Sequence, residues 1–358
     1  MIVFVQHVHD WHGFGRLKGS RSQKMQSDRR GPAGDAKHTL RAMDFVPYRN
    51  KCNMKMTIVG MGRVGSAIAF ATTMNPMVSE LLLVNRTLEK AQGEALDLTH
   101  ASALNNSNLK ISAGTLADSA QSDLIIFTAS QPLGNPPRNR LALAAENLPL
   151  LQEYIPALAA ASPQAVFVMV TNPVDVATYL AIQLSGLPPH RIIGTGTLVD
   201  SVRYRALLSQ ELQIHADDIR AYILGEHGDS QFAAHSIVMT GGERFYPSDT
   251  SGRLFQQTVS MGFEVYKLKG HTCYAIALAT MMIIDSIVYD LRHTMPVSTL
   301  IDGYLGCEDV CLSLPAVIGR SGVTRILHPT LAEDEREAFR RSARTVRDVI
   351  EGLPLAGT

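Results

Sequence analysis

Met56-Thr-Ile-Val-Gly60-Met-Gly62-Arg-Val-Gly65 is a short apolar run that ends in three glycines spaced G-x-G-x-x-G. The run reads as a buried strand, and the alanine-rich segment after it, Arg63–Thr73, reads as a helix that the glycines open. Further apolar runs follow at Leu81–Val84, Leu124–Thr128, Ala165–Val170 and Arg191–Gly194. Each is bounded by Gly, Asn, Ser or Thr, as buried parallel strands are. Helical stretches at Leu88–His100, Leu141–Ala161 and Val174–Leu184 lie between them. This alternation predicts an α/β fold, a Rossmann-type doubly wound parallel sheet over residues 54–193.

Beyond Gly196 the alternation stops. Val199–Leu212 reads as a helix, Ser236–Pro247 as an antiparallel hairpin around Gly241-Gly242, and Thr272–Asp290 and Leu331–Glu351 as long helices. Residues 194–358 are therefore expected to form an α+β substrate domain. Upstream, residues 1–53 carry ten Lys/Arg against four Asp, a surplus of six that the rest of the chain offsets, with no clear periodicity. They read as a disordered extension rather than a targeting leader, because four aspartates and the lack of an amphipathic pattern argue against the latter.

Zero formal net charge gives no reason to expect a nucleic-acid partner, and no apolar run reaches the length of a membrane span. The four cysteines, Cys52, Cys273, Cys307 and Cys311, do not complete a metal site, so no metal is expected; cysteine this sparse fits a reducing cytoplasm.

The glycine motif carries a specific expectation because it follows a strand and opens a helix. Gly60 permits the tight turn, Gly62 lets the backbone approach a pyrophosphate, and Gly65 lets helix and strand pack closely. The exposed N–H groups of the helix start favour the phosphates of a dinucleotide. Gly60, Met61, Gly62, Arg63, Val64 and Gly65 are thus candidate cofactor contacts, with Thr128 and Ala129 at the carboxyl end of a neighbouring strand. At the end of the second strand an acidic residue is expected to bond the adenosine ribose, and the chain has Asn85 there, followed by Arg86 and Thr87. An amide does not repel a 2′-phosphate, so NAD is the expected cofactor with NADP also accepted. The competing reading is weaker NAD binding only.

Four further segments carry candidate chemistry. Leu224-Gly-Glu-His227-Gly-Asp-Ser230 sets a histidine between glycines. Asp200 and Arg203 are spaced i, i+3 and share a helix face. Their bland reading is an intrahelical salt bridge. Their functional reading gives Asp200 the orientation of His227 and Arg203 the grip on a substrate carboxylate. Thr128–Arg140 is rich in Pro, Gly and Asn and leaves a strand at the edge where such sheets bind ligands; Arg140 stands where that loop becomes a helix. Asn172, in Val170-Thr-Asn-Pro173-Val-Asp175, reads either as a helix N-cap or as a contact to the nicotinamide ribose or the substrate oxygen.

Taken together, Gly60–Gly65, Thr171–Val174, Gly194–Arg203 and Leu224–Ser230 resemble the L-lactate/malate dehydrogenase family, in its motif order and spacing, from Met56 to about Leu353. The resemblance is closest to the lactate branch. It implies an NAD-dependent L-2-hydroxyacid dehydrogenase that works on a small 2-oxo/2-hydroxy acid pair. His227 is then the acid/base, Asp200 its partner, Arg203 the carboxylate anchor and Arg140 a residue of a closing loop. The resemblance also implies a homotetramer or homodimer. Thr272, in Gly270-His-Thr-Cys-Tyr-Ala275, resembles the lactate-type helix start that faces the substrate side chain.

Two departures keep alternatives open. Asn85 stands where the family has an acid, and the Gln131–Arg138 loop is rearranged. Gln131 points to lactate and Arg138 to malate, while the irregular loop is similar to the branched L-2-hydroxyacid dehydrogenases. Arg205 and Arg220 match positions that are basic in effector-regulated bacterial enzymes; otherwise they are two solvated arginines. A reading from a different class is a dinucleotide sensor without turnover, which would keep the glycine turn and lose the His/Asp/Arg set.

Overall fold

The structure, a computed structural model, describes residues 54–105, 108–131 and 140–354, with the side chain of Arg140 outside that description. The expected extension at 1–53 and residues 132–138 of the rearranged loop therefore lie outside the described residues.

The chain opens with β1 (Met54–Val59), α1 (Arg63–Thr72), β2 (Val78–Val84), α2 (Leu88–Leu104) and β3 (Lys110–Gly114). β4 (Leu124–Phe127), α3 (Arg140–Ala161), β5 (Val166–Met169), α4 (Val174–Ser185) and β6 (Ile192–Gly194) follow. These six strands are parallel and lie in the spatial order β6-β5-β4-β1-β2-β3. That is the doubly wound order, with its switch point between β1 and β4.

The side-chain period of two explains why these runs are buried on both sides. In β4, Leu124 and Ile126 pack with α1 and α2, whereas Ile125 and Phe127 pack with α3 and α4. β5 splits the same way, Val166 and Val168 against Phe167 and Met169. β3 escaped the sequence reading because it is an edge strand whose residues are exposed or half-buried, so no apolar run marks it.

The second half begins with α5 (Leu198–Leu212), then β7 (Ile219–Arg220), β8 (Ile223–Leu224), β9 (Phe232–Ala233), β10 (Met239–Thr240) and β11 (Glu243–Arg244). The expected hairpin is β10–β11, with Gly241 and Gly242 both at positive φ in the turn. α6 (Asp249–Lys269) and α7 (Tyr274–Val288) come next, then β12 (His293–Asp302), β13 (Glu308–Gly319), β14 (Gly322–Ile326) and α8 (Glu333–Glu351).

Two of these features depart from the expectation. α6 is a long helix that the sequence reading left unassigned; a Ser248 capping box starts it and Gly270, at positive φ, ends it. The second half also does not build a wholly separate sheet. β12 joins the parallel sheet antiparallel to β6 at the pair Ser298–Gly194, so among the described residues one nine-stranded sheet runs β14-β13-β12-β6-β5-β4-β1-β2-β3. Long-range antiparallel pairing of this kind leaves no local signature beyond strand propensity.

Candidate active site

Main chain comes close to main chain at the switch point. Gly60 has φ +102°, and a Cβ there would lie 2.6 Å from the Ala129 nitrogen. A Cβ on Gly65 would overlap the Gly60 carbonyl oxygen. Gly62 has nothing within 4 Å of its Cβ position, which leaves open the approach a pyrophosphate needs. The Thr128 hydroxyl donates to the Gly60 carbonyl at 2.7 Å and ties β4 to the turn. Glycines 60, 62 and 65 thus meet the steric requirements of a dinucleotide turn.

Asn85 is drawn into this turn. Its Oδ1 accepts the Met61 N–H at 3.0 Å and its Nδ2 donates to the Thr87 carbonyl at 3.1 Å. The carboxamide therefore braces the glycine loop, while the neighbouring Arg86 and Thr87 side chains are exposed.

The polar cluster assembles from two segments distant in sequence. Asp200 lies in the first turn of α5 and is only 3% exposed. One oxygen accepts from His227 Nδ1 at 2.6 Å; the other accepts from Arg203 Nη1 at 3.2 Å. The intrahelical salt bridge and the bond to His227 thus coexist, because the carboxylate has an oxygen for each partner. A carboxylate here only accepts, so His227 Nδ1 carries a hydrogen and Nε2 is the nitrogen left to titrate.

The loop that presents His227 is tightly shaped. Gly225 has φ +87° and pairs with Ser313 of β13, and a Cβ on it would lie 2.5 Å from the Ser342 hydroxyl of α8. Buried Glu226 accepts from both the main chain and the hydroxyl of Ser230.

Burial disfavours the imidazolium of His227, but the charge and hydrogen bond of Asp200, with the charge of Asp175 behind it, hold its pKa above the ordinary histidine value. Asp200 shows the complement: burial opposes its ionisation, yet His227 and Arg203 keep its carboxyl below the usual range.

His227, Asp200 and Arg203 line one cavity of about 400 Å³, and Val64 from the glycine turn and Asn172 line it too. Thr272 borders it beside the apolar Val259 and Ile276, so the helix-start threonine and His227 share one space. Asn172 is exposed rather than satisfied as a cap, and α4 begins with no side-chain cap bond. Arg140 is the first residue of α3. Arg205 and Arg220 lie apart from this site, on a second cavity that Arg292 and His293 also line.

The sequence reading missed three residues here. Asn147 is buried in α3; its Oδ1 accepts the Gln131 N–H at 2.8 Å and its Nδ2 donates to the Asn172 carbonyl at 2.9 Å, which joins the loop base to the cavity wall. An amide inside an otherwise apolar helical stretch was the available signal. Gly262 lets α6 close on Arg203, since its Cβ would lie 3.3 Å from Nη1. Asp175 contacts the His227 main chain.

Comparison with known proteins agrees with the geometry. The lactate/malate dehydrogenase NAD-binding domain matches residues 54–194, and the α/β C-terminal domain of the same family matches residues 197–353. An L-lactate dehydrogenase of Synechococcus sp. (strain JA-3-3Ab) is 39% identical over 306 residues, 84% of this chain and 99% of its own length. One from Salinibacter ruber is 38% identical over 300 residues, 81% of this chain and 95% of its own. Among solved structures, the minor L-lactate dehydrogenase of Enterococcus mundtii, in a ligand-bound form, superposes with a TM-score of 0.81 at 31% identity, over 85% of this chain and 99% of the other.

Proposed function

We propose, from the premise that the chain belongs to the lactate/malate dehydrogenase family, that it interconverts pyruvate and L-lactate with NAD as the hydride carrier. The observation that carries this reading is the pair of bonds from Asp200 to His227 and to Arg203 at the wall of a cavity that the glycine turn also reaches.

Arg203 anchors the carboxylate of the 2-oxo acid; its guanidinium fork matches two oxygens at once. The bound nicotinamide supplies hydride in reduction and accepts it in oxidation. Protonated His227 gives its Nε2 proton to the substrate oxygen as negative charge develops there. Asp200 stabilises the imidazolium beforehand and keeps Nε2 turned to the reacting oxygen. In oxidation neutral His227 takes the proton back. Arg140, carried on the loop side of α3, polarises the substrate carbonyl, and Asn172 and Thr272 complete the substrate contacts. Residues 60–65, Asn85, Arg86, Thr128 and Ala129 would hold the cofactor.

Pyruvate is favoured over a dicarboxylic substrate by the described lining. Its guanidinium is Arg203, and Thr272, Val259 and Ile276 offer a hydroxyl and apolar carbon to a small side chain. NADPH is accepted beside NADH, because Asn85 brings no negative charge and Arg86 stands exposed next to it. The three described cysteines are free thiols, which fits a reducing cytoplasm.

The deciding assay is NADH oxidation with pyruvate, oxaloacetate and 2-oxoisocaproate. Pyruvate is expected to turn over fastest; a preference for either other acid overturns the substrate assignment. His227→Asn is expected to abolish turnover and still bind NADH, read by the change in nucleotide fluorescence on binding. An active H227N removes the mechanism.

A further inference from the structure

A second buried carboxylate stands behind the imidazole. Asp175, in the first turn of α4 and 2% exposed, accepts the His227 main-chain N–H at 2.7 Å through Oδ2. Its Oδ1 accepts the hydroxyl of Ser298, a fully buried residue of β12, at 2.6 Å. Both donors are neutral, and an asparagine would satisfy them equally well: its oxygen would take the N–H and its nitrogen would donate to the serine. A carboxylate in this place carries a desolvation cost that the hydrogen bonds alone do not require.

The charges around the pair show what the carboxylate acts on. Asp200 and Arg203 face His227 from α5, Cys311 lies near Asp175 on β13, and Glu226 and Asp229 belong to the histidine's own loop. Arg203 repels the imidazolium, whereas Asp175 attracts both the ring and the peptide that carries it. Asp175 also follows Asn172 by three residues, so one short turn holds a cavity residue at its front and the histidine loop at its back.

We propose that Asp175 is a positioning residue for proton transfer: its carboxylate, pinned by Ser298, holds the His227 main chain against Asp200 and adds negative charge that keeps the imidazole protonated. The proposal rests on His227 as the proton carrier. It gives the reaction two carboxylates in separate roles, Asp200 on the ring nitrogen and Asp175 on the peptide.

The test is a titration of the His227 imidazole by NMR in the full chain without ligands, together with pH profiles of pyruvate reduction. In Asp175→Asn the imidazole midpoint is expected to fall by about one pH unit, because a buried neighbouring charge is removed. The alkaline limb of kcat/KM falls with it, and kcat drops about tenfold, as for other groups that orient a reacting residue. NADH affinity stays near that of the parent. Ser298→Ala withdraws the donor that favours the ionised carboxyl, so the midpoint moves the same way by less.

A folded D175N with an unmoved imidazole midpoint overturns the proposal, as does one with unchanged kcat. If D175N fails to fold, S298A decides alone, and an unmoved midpoint there refutes it. The titration is read without turnover, so its outcome is separate from that of the H227N assay.

Discussion

Asp200 divides its two oxygens between the His227 imidazole and the Arg203 guanidinium, so its loss acts on both. Arg203→Lys keeps the charge but loses the fork; the KM for pyruvate is expected to rise at least tenfold in steady-state assays, with kcat less affected. The pH dependence follows from the raised pKa of His227. Reduction needs the imidazolium, so its kcat/KM holds at low pH and falls as pH rises through the raised pKa. Oxidation needs the neutral ring and falls as pH is lowered through it. Paired forward and reverse profiles check this, and coincident limbs of opposite slope are the expected result. Asp175 has a stability counterpart. Burial lifts its pKa from 3.8 to about 6, so the folded chain binds this proton more tightly than the unfolded chain. The stability that this binding contributes is full below the unfolded value and lost as pH rises toward 6. D175N is therefore expected to have a higher Tm than the parent at pH 8, with the gap closing near pH 4, and a thermal melt at each pH reads it directly.

At the scale of elements, the β1–α1 turn works because three positions lack side chains for different reasons: a positive φ at Gly60, open space at Gly62, and helix–strand contact at Gly65. Gly65→Ala is expected to weaken NADH binding more than Gly62→Ala, since only the former meets backbone within the protein; isothermal titration with NADH separates them. β4 shows the packing side of the same argument. Phe127 is fully buried among α3 and α4 residues, and Phe127→Ala is expected to cost about 3–5 kcal/mol in urea unfolding, the usual range for an aromatic lost from a core. Asn85 ties the glycine turn to the end of β2. Asn85→Asp keeps the acceptor for the Met61 N–H but loses the donor to the Thr87 carbonyl, and it is expected to lower NADPH use through charge repulsion while NADH use falls less.

Across the whole molecule, large apolar side chains stand exposed on neighbouring helices of one side of the sheet. α1, α2 and α7 pack along the same side of the sheet, and Phe70, Met74, Leu96, Leu104, Tyr274 and Leu278 are exposed there, Leu278 at 63%. We propose that a second copy of this chain covers these side chains, since a symmetric pairing buries the same patch on both partners. Leu278→Lys is expected to shift the species seen in sedimentation velocity toward the monomer, with circular dichroism unchanged.

The sequence by itself determined the class of fold and marked out the candidate working residues. Fully buried parallel strands must be continuously apolar, a dinucleotide turn must have its glycines at set intervals, and His227, Asp200 and Arg203 are chemically conspicuous. It missed β3, whose edge position removes the apolar signal, and α6, whose polar outer face breaks up the helical pattern. Only the tertiary structure decided that Asp200 serves both His227 and Arg203, that β12 extends the parallel sheet at Gly194, and that Asp175 reaches around to the peptide of His227. Those relations join residues 27, 104 and 52 positions apart. Local propensity reaches only a few residues along a chain; contacts at such separations exist only once the sheet has brought the segments together.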